Sequence, residues 1–242
     1  AGALIAAVIG AEFGKAVSGE TKVDILVTPF VTMLIGSLVA VVVGPPIGAF
    51  MTALGNVIMW ATEQQPIIMG IVISVVVGVV LTLPISSAAL CIMLNLSGIA
   101  AGAATVGCCC QMVGFAVQSY KENGIGGLAA QGLGTSMIQV PNIIKNWRIW
   151  IPPTAASAVL GPLATTVFQM QNTPVAAGMG TCGLVGQIGT VLAMTEAGQP
   201  MIQIVLGIGL LQIILPAAVT MIFYKLCARA GWIKAGDMKL DL

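Results

Sequence analysis

The 242-residue chain carries nine Lys and Arg against eight Asp and Glu, has no histidine, and is 58% hydrophobic but only 7% charged, with a mean hydropathy of +1.05. Soluble domains run at about 25% charged residues, so a soluble globular protein is excluded. The net charge of +1 offers no basic stripe to a phosphate backbone, which excludes nucleic-acid binding. The missing histidine removes zinc hydrolases, His-ligated haem and Ser-His-Asp hydrolases, leaving among enzymes only chemistry by carboxylates alone.

The expected elements are all helical. Ala1 to Val17 reads as an apolar helix with Gly10 and Gly14 four apart, and with Glu12 and Lys15 three apart and paired near its end. Residue 1 lies within this apolar segment with no initiator Met, so upstream helices are expected before it. The hydrophilic stretch Ser18 to Asp24 ends the helix. A strong span follows from Ile25 to Val43 and closes at Gly44-Pro45-Pro46. Two successive prolines should stop a helix, so Ile47 to Thr62 restarts as a second segment or lies at an angle.

Glu63 to Pro66 forms a turn, and from Gln64 to Tyr120 no residue is charged. That run is long enough to cross a bilayer at least twice, at about 20 residues per crossing. Its first span, Ile67 to Leu83, is broken by Pro84. Ser86 and Ser87 then cap a short helix reaching Asn95, too brief to cross alone and suited to a re-entrant hairpin. Gly98 to Tyr120 is a full span with Gly98 and Gly102 four apart. Non-helical backbone at membrane depth survives only where protein buries it or a wet cavity lines it, so the interior is polar.

Lys121 to Gly124 makes a loop. Ile125 to Val140 is apolar and Gly-rich until Pro141 breaks it, and Pro152-Pro153 opens a span reaching Met170. Gln171-Asn172-Thr173-Pro174 interrupts. Gly180, Gly183, Gly186 and Gly189 follow at a three-residue spacing that places them near one helix face. Glu196 to Pro200 turns the chain into the last strong span, Met201 to Tyr224. The recurrent order of span, proline break and short polar piece hints at internal duplication. Lys225, Arg229, Lys234 and Lys239 outnumber Asp237 and Asp241 in the tail, which places the C-terminus in the cytoplasm by the positive-inside rule.

The richest polar cluster runs from Gln139 through Asn142 to Arg148. It reads either as a substrate-binding hairpin or as an interfacial segment with Lys145 and Arg148 at the surface and Trp147 and Trp150 in the aromatic belt. A blend places Gln139 and Asn142 deep and the basic pair shallow. Ser86, Ser87 and Asn95 face the same cavity or serve as caps and interhelical bonds, and Gln171, Asn172 and Thr173 line it or form a surface turn. Gln111 and Gln118, seven apart, share a face and mark a bundle seam. The Cys108-Cys109-Cys110 run points its sulfurs about 100° apart on a helix, so the three cannot converge on one metal and read as packing residues. No metal or other cofactor is implied.

One arrangement of motifs resembles a known family. A span ending Val43-Gly44-Pro45-Pro46-Ile47-Gly48-Ala49, the Pro84-centred re-entrant piece, and Met137-Ile138-Gln139-Val140-Pro141 leading into Trp150-Ile151-Pro152 are together similar to the membrane subunit IIC of bacterial sugar phosphotransferase systems. The nearest branch is the one related to fructose-type IIC that includes a toxin-gene regulator. The resemblance covers nearly the whole chain. It implies a homodimer in the bacterial inner membrane that carries a sugar inward, with a separate IIB protein phosphorylating it. The chain departs from the fructose-type pattern in having Met137 where a glutamate stands, Leu81-Thr82-Leu83-Pro84 where an acidic turn stands, and no histidine in Pro174 to Gly180.

The expectation is an all-α, polytopic transmembrane protein with proline-broken, re-entrant hairpins, forming one IIC-like domain over residues 1–242. It binds and translocates a small sugar-like solute by alternating access, with substrate contacts at Ser87, Asn95, Gln139, Asn142 and Thr173 and without catalysis of its own. The alternative is a membrane-embedded sensor of the same family in which nothing crosses. A channel is disfavoured, because neither a carboxylate ring nor a TVGYG-type filter is present.

Overall fold

The computed structural model describes residues 2–19, 24–62 and 64–240, which fall into two compact units, Ala1–Asn56 and Val57–Leu242. Residues 20–23, Glu63 and Asp241, on which parts of two expected turns and of the tail charge fall, lie outside the described residues. The described chain is helical, with a single isolated antiparallel bridge between Gly98 and Asn172. Three of its helices are long and apolar enough to cross a membrane: Leu26–Thr62, Gly98–Gln118 and Met201–Arg229.

In the first unit, α1 (Gly2–Val17) packs on the start of α2 (Asp24–Thr62). A Cβ on Gly10 would lie 2.8 Å from the Thr32 carbonyl oxygen, and one on Gly14 would overlap the Thr32 hydroxyl. The four-residue glycine spacing thus brings the two helices together. The exposed Glu12 and Lys15 do not form the expected ion pair, since nothing buries either side chain to hold it. A second expectation also fails: α2 runs unbroken through Pro29, Pro45 and Pro46. The two prolines remove the N–H groups that would bond the Val41 and Val42 carbonyls, but their fixed φ is itself helical, and apolar membrane helices tolerate the loss.

The second unit is built around α5 (Gly98–Gln118), which is buried along nearly its whole length by α3 (Pro66–Thr82), α8 (Ile151–Thr166) and α12 (Leu215–Arg229). Its small residues make that possible. A Cβ on Gly78 of α3 would lie 2.8 Å from the Gly107 carbonyl oxygen, and one on Gly107 would overlap the Ser74 carbonyl. The α3–α8 crossing is equally close: a Cβ on Gly70 would lie 2.8 Å from the Gly161 carbonyl oxygen. Ser74 Oγ donates to the Ser157 carbonyl at 2.8 Å across that seam. Cys108, Cys109 and Cys110 are all buried within α5, where they pack in different directions.

Short pieces complete the unit: α4 (Ser87–Met93), α6 (Tyr120–Ala129), α7 (Val140–Lys145), α9 (Pro174–Ala177), α10 (Val185–Glu196) and α11 (Met201–Gly207), the last joined to α12 through a π-helical stretch, Ile208–Ile214. The glycine stripe differs from expectation. Gly180 and Gly183 adopt φ of 54° and 52°, so they lie in the irregular segment before α10, and only Gly186 and Gly189 share its face. Nor do Gly98 and Gly102 form a helix–helix seam. Gly98 has φ 62° at the start of α5, and Gly102 abuts the backbone at Met170, beyond the end of α8. The break expected at Pro141 falls upstream: the π turn Ala130–Gly134 and the extended Thr135 interrupt the helix, while Pro141 sits in the first turn of α7, where its missing N–H is not needed.

The seams make a direct prediction. Gly107→Ala forces α5 away from α3 and should destabilise the detergent-solubilised protein by about 1–3 kcal/mol, read as a lower melting temperature. Gly126→Ala, with nothing within 4 Å of its would-be Cβ, should leave it unchanged.

Candidate functional site

Three interruptions of helical backbone, at residues 83–86, 130–139 and 167–184, converge in the second unit. Each is tied to another by a side-chain hydroxyl. Ser87 Oγ donates to the Gly178 carbonyl at 2.7 Å. Thr181 Oγ1 donates to the Gly132 carbonyl, and the Thr82 and Ser136 hydroxyls meet at 2.9 Å. The local sequence explains each break. Pro84 ends α3, and Ser86 restarts the chain by accepting from the Ala89 N–H at 3.2 Å as the cap of α4. Thr135 accepts from the Met137 N–H at 3.1 Å, and Pro174 opens α9.

Behind this junction lies a network of neutral side chains. Asn172 Nδ2 donates to Thr105 Oγ1 at 2.6 Å and to the Gly186 carbonyl at 3.0 Å, with Thr190 Oγ1 at 3.3 Å. Its Oδ1 accepts from the Thr173 N–H at 2.8 Å. Gln212 Nε2 donates to Thr190 Oγ1 at 2.9 Å, and Gln187 Nε2 approaches the Cys109 sulfur at 3.7 Å. The Oε1 atoms of Gln187 and Gln212 are buried without a hydrogen-bond donor. Gln212 lies in the π-helical stretch ahead of Pro216, whose missing N–H leaves a wider turn to be accommodated. On the other side of α5, Gln111 Nε2 donates to Thr154 Oγ1 at 3.1 Å while its Oε1 accepts from Trp150 Nε1 at 3.1 Å. Among the described residues no Asp, Glu, Lys or Arg is buried, so the polar interior is uncharged.

One end of the unit is closed by the C-terminal tail. The Glu122 carboxylate accepts the N–H groups of Gly236 at 2.9 Å and Met238 at 3.0 Å. Asn123 brackets the same strand of chain, donating to the Met238 carbonyl and accepting from the Leu240 N–H, both at 2.8 Å. From the opposite side Gln139 Nε2 donates to the Met238 carbonyl at 3.1 Å and Asn142 Nδ2 to the Lys239 carbonyl at 2.9 Å. Asn146 Nδ2 reaches the Trp232 carbonyl and Asp237 Oδ2. Met238 is buried with Phe115, Ile143, Ile149, Cys227 and Ile233, so the tail is packed as well as hydrogen-bonded.

The five residues expected to contact a solute fall into two pairs and one residue apart. Gln139 and Asn142 are joined directly, Asn142 Nδ2 donating to Gln139 Oε1 at 2.9 Å, and Gln139 also donates to Gln131 Oε1 at 3.0 Å. Ser87 and Thr173 belong to the α4–α9 junction, Thr173 being half-buried at the start of α9. Asn95 is exposed, at φ 48°, and closes α4: its N–H bonds the Ile92 carbonyl and the Leu96 N–H bonds the Cys91 carbonyl, the two bonds of a Schellman cap. Gln111 and Gln118 are buried in a seam as their spacing indicates.

Several residues of the site were not singled out from the sequence. Gln187 and Gln212 carried a usable signal, since an amide inside an apolar span is costly unless it has a purpose. Thr105 and Thr190 carried none, because a threonine hydroxyl satisfies itself on its own helix, as both do here. Glu122 and Asn123 looked like a surface loop; their partners lie more than 100 residues away.

The fold and its site define a class: an all-α membrane protein whose broken helices meet around a polar interior that is uncharged among the described residues. The family model described as Phosphotransferase system, EIIC matches residues 1–240, and the chain belongs to that family. Neither a curated protein nor a solved structure matches it.

Two measurements test the geometry. Asn172→Ala strips donors from Thr105, Gly186 and Thr190 and should destabilise the protein by about 1–3 kcal/mol in a detergent melt. Glu122→Ala removes a charged acceptor from two tail N–H groups. With hydrogen bonds to charge at about 1.5–3 kcal/mol, tryptic cleavage at Lys234 or Lys239 should speed up at least about tenfold while the bundle stays resistant.

Proposed function

We propose that the chain moves a small sugar-like solute across the membrane by alternating access, as the IIC subunit of a phosphotransferase system in the branch related to fructose-type IIC. Family membership supports a sugar-transporter-like membrane subunit. The convergence of the three backbone breaks carries the mechanistic part of the reading. Hydroxyl-to-carbonyl bonds hold the breaks together, and a polyol's hydroxyls can exchange with such bonds without leaving any group unpaired. The unpartnered Oε1 atoms of Gln187 and Gln212 are acceptors suited to hydroxyl donors.

Within this reading Ser87, Asn95 and Thr173 contact the solute from the hairpin side. Gln139 and Asn142 contact it from the tail side, once the tail carbonyls that now occupy their amides have withdrawn. Among the described residues no carboxylate is buried in the interior to activate a hydroxyl, and phosphorylation then falls to a separate IIB protein. The tail end faces the cytoplasm of a bacterial inner membrane. In support, the second unit gathers Lys121, Lys145, Arg148, Lys225, Arg229, Lys234 and Lys239 towards that end. The chain acts as one IIC-like domain within a homodimer.

Uptake of labelled sugars into proteoliposomes tests the proposal. Saturable accumulation of one sugar is expected, together with a drop on the order of tenfold for Gln139→Ala, equivalent to about 1.4 kcal/mol of lost hydrogen bonding. Saturable binding without accumulation would overturn transport in favour of a sensor. Unchanged uptake by Gln139→Ala would remove that residue from the solute path.

A further inference from the structure

Beneath the tail lies a polar pocket of about 300 Å³ lined by Asn142, Lys145 and Asn146 from α7 and its end, and by Gly236, Asp237 and Lys239 from the tail. Its donors and acceptors are unevenly used. Both N–H groups of Asn142 are engaged, by Gln139 and the Lys239 carbonyl, but its Oδ1 receives no bond from any described residue, although the residue is only 7% exposed. Asn146 Nδ2 is shared between Trp232 and Asp237, and Asp237 Oδ2 accepts from both Asn146 Nδ2 at 2.7 Å and the Lys234 N–H at 2.8 Å. What remains for a ligand is two ammonium groups, Lys145 and Lys239, on one hand, and two acceptors, Asn142 Oδ1 and Asp237 Oδ1, on the other.

We infer that this pocket binds a phosphate group that carries free hydroxyls, a glycerophosphate-type ligand. The ammonium groups suit phosphate oxygens, as charge-assisted bonds to cationic donors are the strong ones. The two oxygen acceptors suit the alcohol hydroxyls. Inorganic phosphate has only its own P–OH groups to donate and no second group to fill the acceptors while its oxygens meet the ammonium groups. Two sources carry the chemistry: a soluble glycerol phosphate, or the headgroup of phosphatidylglycerol. The surroundings are compatible with a headgroup, because Trp147, Trp150 and Trp232 flank the pocket's walls in sequence, and Arg148 lies over the Trp232 ring at 5.8 Å.

Half of the pocket is tail, so the site exists only while the tail is in place. A ligand held there favours the tail-docked state over any state in which the tail has lifted. If Gln139 and Asn142 serve the solute path after tail release, occupancy of the pocket slows transport. That consequence rests on the transport reading; the binding itself does not.

The experiment is a thermal-shift titration of the full chain, read without any uptake measurement. In detergent the probes are glycerol 3-phosphate, inorganic phosphate and glycerol, at matched ionic strength. A parallel arm compares phosphatidylglycerol with phosphatidylcholine nanodiscs. The comparison protein is the Lys145→Gln/Lys239→Gln double variant, both residues being exposed so that the fold is kept. Glycerol 3-phosphate should raise the melting temperature saturably, with at least about tenfold weaker binding in the double variant and no comparable effect of glycerol or inorganic phosphate. A shift confined to phosphatidylglycerol nanodiscs and lost in the double variant assigns the site to lipid. A shift in neither arm, or one that the double variant retains in full, overturns the inference, whatever the uptake assays give.

Discussion

A carbonyl freed by a break in a buried helix must be met by a donor from somewhere else in the chain. Every other feature of the second unit follows from that constraint, because unpaired backbone groups away from water cost several kcal/mol each. The donors are short hydroxyl and amide side chains reaching across elements, Ser87 to Gly178, Thr181 to Gly132 and Gln118 to Ile149, and Ser74 and Thr165 reach in the same way to the Ser157 and Pro66 carbonyls of neighbouring helices. Such bonds are short-range, so they require backbones to approach closely. The glycine contacts between α3, α5 and α8 provide that approach, and the same small residues give α5 its burial on all sides.

This explains which parts of the molecule were legible in the sequence. Spans were visible because a run such as residues 64–120 without a charge has only one stable environment. The short capped helix after Pro84 was visible because proline and serine act locally, on their own backbone. Prolines misled where the membrane environment alters their effect, as at Pro45 and Pro46 inside α2, and where a neighbouring glycine-rich stretch had already broken the helix, as before Pro141. Glycine spacing proved informative at Gly10 and Gly14 and misleading at Gly180 and Gly183, because spacing defines a face only if the residues are helical.

The candidate site shows the same division. Gln139 and Asn142 stood out as amides beside a proline, and they are indeed buried and bonded to each other. Their second partners, the carbonyls of Met238 and Lys239, lie almost 100 residues later in a tail whose composition suggested only a charged end. A side chain that bonds backbone places no demand on the type of residue it bonds, so no pattern in the tail advertises the contact. For that reason the tail clasp, held by Glu122, Asn123, Gln139, Asn142 and Asn146, could be seen only in three dimensions.

The separation of charge from the interior bears on how such a site discriminates. Buried carboxylates bind hydroxyls strongly but carry a desolvation penalty that changes whenever water enters or leaves. The network of Thr105, Asn172, Gln187, Thr190 and Gln212 carries no net charge, so opening it to water alters its energy far less. In a solute site built this way, as the transport reading has it, selectivity rests on geometry: an amide or hydroxyl left unpaired by an ill-fitting solute costs about 1–3 kcal/mol, enough per mismatch to discriminate roughly five- to a hundredfold. Several modest contacts placed by glycine-sealed helices can therefore do what one buried charge does elsewhere.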